Sequence, residues 1–182
     1  MMKVLHTSLC GVMFFGIVFF AAGCFSNAPD IPTEGARIEQ VCSTPKYNIA
    51  LIKIESGKEN MLPKQEFQVI LDKALVDSNC FNFVKNDDKA YTLHIRYNFT
   101  ITEVSEDTSA ISSKEQVTLK SNVQFNLYNK AKTIQQNAIS TLKLSEKTYL
   151  GLGENVQVTQ GQKEEVIRRS LKTIFANLST MP

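Results

Sequence analysis

The sequence predicts an α+β domain of two layers, a mainly antiparallel sheet of four to five strands with two helices on one face, in the order β-α-β-β-β-β-α. Three observations carry this expectation. Apolar and polar residues alternate over 91–102 and, with the exception of Ser121, again over 117–129, the period of half-buried strands. Two segments, around 67–75 and 167–178, carry apolar residues at helical spacing. The 182 residues, 43% hydrophobic and 21% charged, suffice for one domain with a real core.

The chain opens on a segment that stands apart from this pattern. Residues 1–23 hold one cation, Lys3, no acidic residue, and the apolar run "SLCGVMFFGIVFFAAG". A basic start, an apolar middle and small residues at a cleavage point make an export signal. A transmembrane anchor is the competing reading, and the run from Ser8 is short for one. Ala21-Ala22-Gly23-Cys24 separates the two. Three small residues admit an extended backbone to a peptidase groove, and the Cys24 thiol can carry a diacylglyceryl thioether. The tetrad resembles the lipobox of bacterial lipoproteins, with Ala21 where Leu is commoner. Signal cleavage is thus expected between Gly23 and Cys24, with lipidation at Cys24. Acyl chains contribute about 0.8 kcal/mol per buried CH₂, so the membrane itself is an expected partner. Phe25 follows the cysteine in place of the Asp that marks inner-membrane retention. The expected location is the outer membrane, facing the periplasm, with the inner membrane or cell surface as alternatives.

Residues 24–46 hold Pro29, Pro32 and Pro45 without sustained periodicity. They read as a lipidated end and flexible tether spanning roughly 25 Å, which leaves 47–182 as the domain. Cys42 and Cys80 are then an even pair in an oxidising compartment. A bridge between them would close a loop of about 39 residues, worth roughly 4 kcal/mol in chain entropy; two free buried thiols are the other reading.

Within the domain, "YNIALIKI" (47–54) is a short apolar, β-branched run of the kind found in buried strands. Pro63 suits a first helical turn, and Phe67, Ile70, Leu71, Ala74 and Leu75 then share one helical face. "CFNFV" (80–84) reads as a short strand and "KNDDK" as a turn. In the next strand Tyr91, Leu93, Ile95, Tyr97, Phe99 and Ile101 face the core, and Thr92, His94, Arg96, Asn98, Thr100 and Thr102 face water. "SEDTSAISSKE" reads as a polar connection. Val117, Leu119, Val123, Phe125 and Leu127 mark a second strand, with Ser121 as the exception, and a third follows at about 131–145. Three strands on short links make an antiparallel meander. "TYLGLGENVQVTQG" (148–161) is glycine-punctuated and irregular, a candidate partner-binding loop at Tyr149, Gly151 and Gly153. The last helix buries Ile167, Leu171, Ile174, Phe175 and Leu178, with Glu164 and Glu165 near its start to suit the helix dipole.

Chemistry is sparse. The one histidine after the signal, His94, lies in the polar register of a strand, which argues for a solvated side chain over a triad base. Gly151-Leu152-Gly153 lacks the Gly-Lys-Ser/Thr of a phosphate loop. Two thiols and one histidine do not make a four-ligand zinc site, and the acidic runs lack EF-hand spacing. No metal, cofactor or catalytic residue is expected. A net charge of +2 gives no footprint for nucleic acid. Arg168, Arg169 and Lys172 read as a small solvent-facing basic patch.

The apolar spacing of "FQVILDKALVDSNCFNFV", "AYTLHIRYNFTITEV", "KSNVQFNLYNK" and "EEVIRRSLKTIFANL" resembles the small periplasmic lipoproteins of the YajG-like group. Their α+β domain is similar to TolB N-terminal domains and to the lipopolysaccharide-assembly lipoprotein LptE. The resemblance covers about 47–179, and Phe25-Ser26 stands where LptE usually has Gly-Tyr. It implies a non-enzymatic accessory or scaffolding module that binds an envelope protein through its open sheet face or the 148–161 loop. The alternative it implies is a binder of lipid or a lipopolysaccharide-like amphiphile in a cleft between sheet and helix.

Overall fold

The computed structural model describes residues 38–85, 87–109, 112–149 and 156–181, with the side chains of 107–109 and 147–149 outside that description. The elements are β1 (Tyr47–Ser56), α1 (Lys64–Ser78), β2 (Phe81–Phe83), β3 (Tyr91–Ser109), β4 (Ser112–Tyr128), β5 (Thr133–Tyr149) and α2 (Gln160–Thr180). They form the expected two-layer α+β domain around one five-stranded sheet, ordered β2-β1-β3-β4-β5. The sheet is mixed: β1 pairs parallel with both β2 and β3, whereas β3, β4 and β5 form the antiparallel meander. A parallel β1–β2 pair needs a crossover, and α1 supplies it.

The alternation of β4 is complete. Val117, Leu119, Ser121, Val123, Phe125 and Leu127 are all buried. Ser121 is the small member because α2 passes close above it: the Ser170 hydroxyl, also buried, donates to the Ser121 carbonyl at 3.4 Å. β1 is less uniform than its apolar sequence suggests. Its register against β3 runs Ile49↔Tyr91 and then Leu51↔Thr92, so Ala50 is an extra residue in a bulge. The bulge reverses the phase of the pleat. Tyr47 and Ile49 face the core before it, Ile52 and Ile54 after it, and Leu51 is left 49% exposed on the other face.

Within "SEDTSAISSKE" the described residues, 105–109 and 112–115, are strand, which corrects its reading as a polar connection. β3 runs on to Ser109 and β4 starts at Ser112, with Glu106 opposite Lys114. Charges of opposite sign across a strand pair support the ladder where no core does. Likewise 148–149 belong to β5 and 160–161 to α2, so the 148–161 segment is irregular only in part. Val156 and Val158 are not in a strand and pack against the core.

Both helices lie on the core face. α1 buries the five residues expected of it, after Pro63 at its N-cap. It ends on Asn79, whose φ of 53° is the left-handed conformation that asparagine tolerates. Thr159 caps α2 through a capping box with Gln162. Because α2 begins at Gln160, Glu164 and Glu165 fall beyond its first turn; they pair instead with Arg168 and Arg169 at i+4. Arg168 is therefore not a solvent-facing cation. It is 7% exposed, bound to Glu164 at 2.6 Å and 4.0 Å from Asp77 of α1.

The chain before β1 is docked from Ile38 onward. Ile38 and Cys42 are buried, and the backbone N–H groups of Val41 and Cys42 donate to the Ser78 carbonyl, each at 3.0 Å. Lys46 and Tyr47 donate to the Cys80 carbonyl, and Asn79 Nδ2 donates to the Cys42 carbonyl at 3.0 Å. Cys42 and Cys80 are joined by a disulfide within this knot. Their separation of 38 residues is a long loop to close in the unfolded chain. Reducing the bond, or replacing both cysteines with Ala, should lower stability by about 2–4 kcal/mol, seen as an earlier denaturation midpoint that is insensitive to added reductant in the double variant.

Two tyrosines tie the layers together. Tyr47 Oη donates to the Leu178 carbonyl at 2.9 Å and Tyr97 Oη to the Leu62 carbonyl at 3.1 Å. Burial pushes both phenols above the ordinary value of 10.0. A raised folded value means the native state holds its proton longer than the unfolded chain does. Their contribution is whole below about pH 10 and is lost as pH rises through the raised values. The expected result is a fall in denaturation midpoint between about pH 9 and 11, flattened in the Tyr47→Phe/Tyr97→Phe double variant.

Candidate functional site

Helices cover one face of the sheet, and the other is built from the polar register of the meander. The pairing sets Lys53, His94, Asn126 and Gln135 in one row across four strands. The next row holds Glu55, Arg96, Gln124 and Asn137, and a third holds Asn98, Asn122 and Ile139. Strand pleating alone puts them there, because every residue next to a core position along β3 or β4 must point away from the core.

Where β1 ends, this face hollows into a cleft of ≈ 410 Å³ lined by Glu55, Gly57, Lys58, Arg96, Asn98, Asn122 and Gln124, among others. That volume lies in the range of small-ligand sites, and most of the residues around it carry charged or amide side chains. A smaller hollow of ≈ 90 Å³ adjoins it through Arg96 and Gln124 and reaches His94, Asn126 and Gln135. Gly57 sets the depth of the larger one. Its N–H donates to the Tyr97 carbonyl at 2.7 Å. A Cβ on Gly57 would stand 2.8 Å from Asn98 Oδ1, so only glycine lets the Asn98 amide lie against the backbone here.

Charge in the cleft centres on Glu55. Its Oε2 accepts from Arg96 Nε at 3.1 Å, and His94 Nε2 lies 3.1 Å away without the alignment of a hydrogen bond. The hydrogen bond from Arg96, helped by the charge of His94, holds the Glu55 carboxyl below the usual carboxylate range. Lys58, on the rim of the cleft, has no ion-pair partner among the described residues. His94 Nε2, Asn98 Oδ1 and Asn126 Oδ1 are buried with no hydrogen-bond partner. Buried polar atoms nearly always have partners, so these three set this part of the face apart from an ordinary solvated strand surface.

His94 is less solvated than its register suggests, its side chain being 18% exposed. Its neighbours in the hollow are Arg96, Gln124, Asn126 and Gln135, none of them a nucleophile that it could activate. Among the described residues no group of three His, Cys, Asp or Glu could hold a metal ion, and no helix is long and apolar enough to cross a membrane. Of the loop candidates, Tyr149 ends β5 opposite Ser112. Gly151 and Gly153 lie outside the described residues, as do Gly23 and Cys24.

No protein-family model matches the chain, and no curated protein matches it. Among solved structures it is similar to a putative neuraminyllactose-binding hemagglutinin homolog from Helicobacter pylori, at 17% identity and TM-score 0.37, over 76% of this chain and 83% of that one. A minor lipoprotein from Acinetobacter baumannii follows at 14% identity and TM-score 0.31, over 74% of this chain and 87% of that one. Rare lipoprotein B from Shewanella oneidensis follows at 11% identity and TM-score 0.29, over 71% and 87%. Likenesses this weak do not bear on what this chain binds or where it sits.

The polar face could not be found as a site from composition. Sequence alternation shows which residues face away from the core, but it is the register that sets Asn98 beside Asn122 and Glu55 beside Arg96. Replacing Arg96 with Ala removes the largest cause of the Glu55 shift. The Glu55 carboxyl should then titrate at a higher pH than in the parent, read from its side-chain carbonyl resonance by NMR.

Proposed function

We propose that the protein is a lipid-anchored module of the bacterial envelope, without catalytic activity, that binds its partner through the open polar face of the sheet. The observation that carries the binding part is the cleft at Glu55, Arg96 and Asn98, with the buried amide oxygens of Asn98 and Asn126 lacking hydrogen-bond partners beside it. Supporting the location are Ala21-Ala22-Gly23-Cys24 after an apolar run and the Cys42–Cys80 disulfide, a bond typical of oxidising compartments. Acyl chains on Cys24 hold the domain at the outer membrane, facing the periplasm, and the chain from Phe25 to Arg37 serves as the leash. Grouping with the YajG-like lipoproteins rests on apolar spacing and belongs to the same proposal. An accessory or scaffolding role fits a face of amides, hydroxyls, lysines and a Glu55 carboxylate paired with Arg96 and His94, suited to recognition and not to bond cleavage. The amphiphile reading has less support. The space between α1 and β1, lined by Ile52, Ile54, Lys64, Gln68 and Asp72, is ≈ 180 Å³, smaller than sites that enclose a drug-sized ligand.

Two measurements test the proposal. The parent should incorporate labelled palmitate into a processed, membrane-bound form, and Cys24→Ala should leave an unprocessed precursor; processing and labelling of the variant would refute the anchor. A photocrosslinking amino acid at Gln124 should give one discrete protein adduct in intact cells, absent when placed at exposed Lys73 of α1. Equal labelling from both positions would refute the polar face as the binding surface.

A further inference from the structure

The two edges of the sheet are unlike each other. β2 is an edge of three residues, too short to template another strand. β5 is an edge of seventeen, paired to β4 throughout without a bulge. Natural sheets protect long edges with charge, proline or a bulge. From Thr133 to Leu142 β5 has none of these, and its outer backbone has no partner among the described residues. At the middle of this stretch Ile139 is 55% exposed.

We infer that the outer edge of β5 pairs antiparallel with β5 of a second copy of the chain, across a two-fold axis through Ile139. The pattern of the strand selects both occupant and register. A sheet continuous across both copies must keep its core faces on the same side, so even-numbered residues of β5 oppose even-numbered ones and odd oppose odd. With the axis at Ile139, that residue meets its own equivalent. Ile134 stands opposite Leu144 of the second copy, and Ala138 opposite Ser140. Lys132, the exposed residue just before the strand, stands opposite Glu146, so the symmetry makes this pair of opposite charges twice. Lys143 faces uncharged Gln135. Neighbouring registers lose this match. An axis at Ala138 puts Lys132 against Leu144, one at Ser140 puts Ile134 against Glu146, and one at Thr141 puts Lys143 against Ile139. Backbone hydrogen bonds supply affinity and the facing side chains supply register, the usual division in strand addition. The contact is isologous and closed, so it stops at two copies.

The test uses the full-length chain purified in detergent. Ile139→Cys should form a disulfide-linked dimer on mild oxidation. Lys120→Cys, exposed on the neighbouring strand β4 but away from the edge, should not. Light scattering should find dimers of the parent, with the dissociation constant raised about ten-fold by Glu146→Lys, which turns each facing pair into like charges. Adding Lys132→Glu to that variant should restore the parent value. These are exposed positions, and circular dichroism of each variant checks that the sheet is intact. A monomer throughout a dilution series from about 1 to about 100 µM, cross-linking as ready at position 120 as at 139, or no rescue by the double charge reversal would overturn the inference.

Discussion

Seating of α2 on the sheet is the contact on which the rest of the fold depends. The ring of Phe175 makes edge-to-face contacts with Phe81 of β2 at 5.7 Å and Phe125 of β4 at 5.9 Å, reaching two strands that are not neighbours. Such pairs add about 0.5–1.5 kcal/mol each beyond the area they bury. Phe67 of α1 stacks on Tyr97 of β3 at 3.9 Å between ring centres, and Arg168 of α2, held by Glu164 of its own helix, reaches Asp77 of α1 at 4.0 Å. A parallel edge of three residues such as β2 has little ladder of its own and leans on this layer and on the disulfide at Cys80. Remove Phe175 and the helix, the short edge and the centre of the meander lose a common support.

Covering one face in this way leaves the other face and the long edge to water, and the two are exposed by different physics. The face carries polar side chains because the pleat sends every second residue outward. Its amides are packed closely enough to shield some of their own atoms, and so a cleft with unsatisfied acceptors arises on an otherwise ordinary solvated surface. The edge is exposed by topology, since nothing follows β5 in the sheet order. Asn98, Asn122 and Ile139 lie in one row, so the face and the edge meet at the residue where the strand is most apolar on its outer side.

Much of this was legible where one side of an element is buried. Core positions of β3 and β4 and the stripes of both helices followed from spacing, since burial imposes a period on the sequence. Even the exception at Ser121 was visible, though its cause, the passage of Ser170 above it, was not. The distal part of the meander was missed for the same reason that the rest was found. Val104 is exposed, as are Glu103, Ser105 and Glu106 beside it, so no apolar period marks that ribbon; the only trace is charge, Glu106 facing Lys114. The β1 bulge was hidden by an apolar run that reads alike in either phase. Arg168 and Arg169 looked alike in sequence, and it is the approach of Asp77 on α1 that marks out the buried cation from the half-buried one.

The docked segment before β1 gives the proposed anchor a mechanical meaning. A leash drawn from Cys24 would pull on the domain at Ile38, and the first groups to resist are those around Ser78 and Cys80. Backbone bonds to those two carbonyls can be pulled apart one at a time, each contributing only about 0.5–1.5 kcal/mol net. The Cys42–Cys80 bond cannot. It passes tension from the leash into the junction of α1 and β2 before the chain reaches β1. β1 itself, parallel to both its neighbours at the centre of the sheet's shorter half, would otherwise be the strand peeled away. On this account the disulfide does more than restrict the unfolded chain. If the proposed anchor holds the chain at Cys24, the bond fixes the point at which the domain would be held, so that the polar face on β3 and β4 would stay intact under a pull from that end.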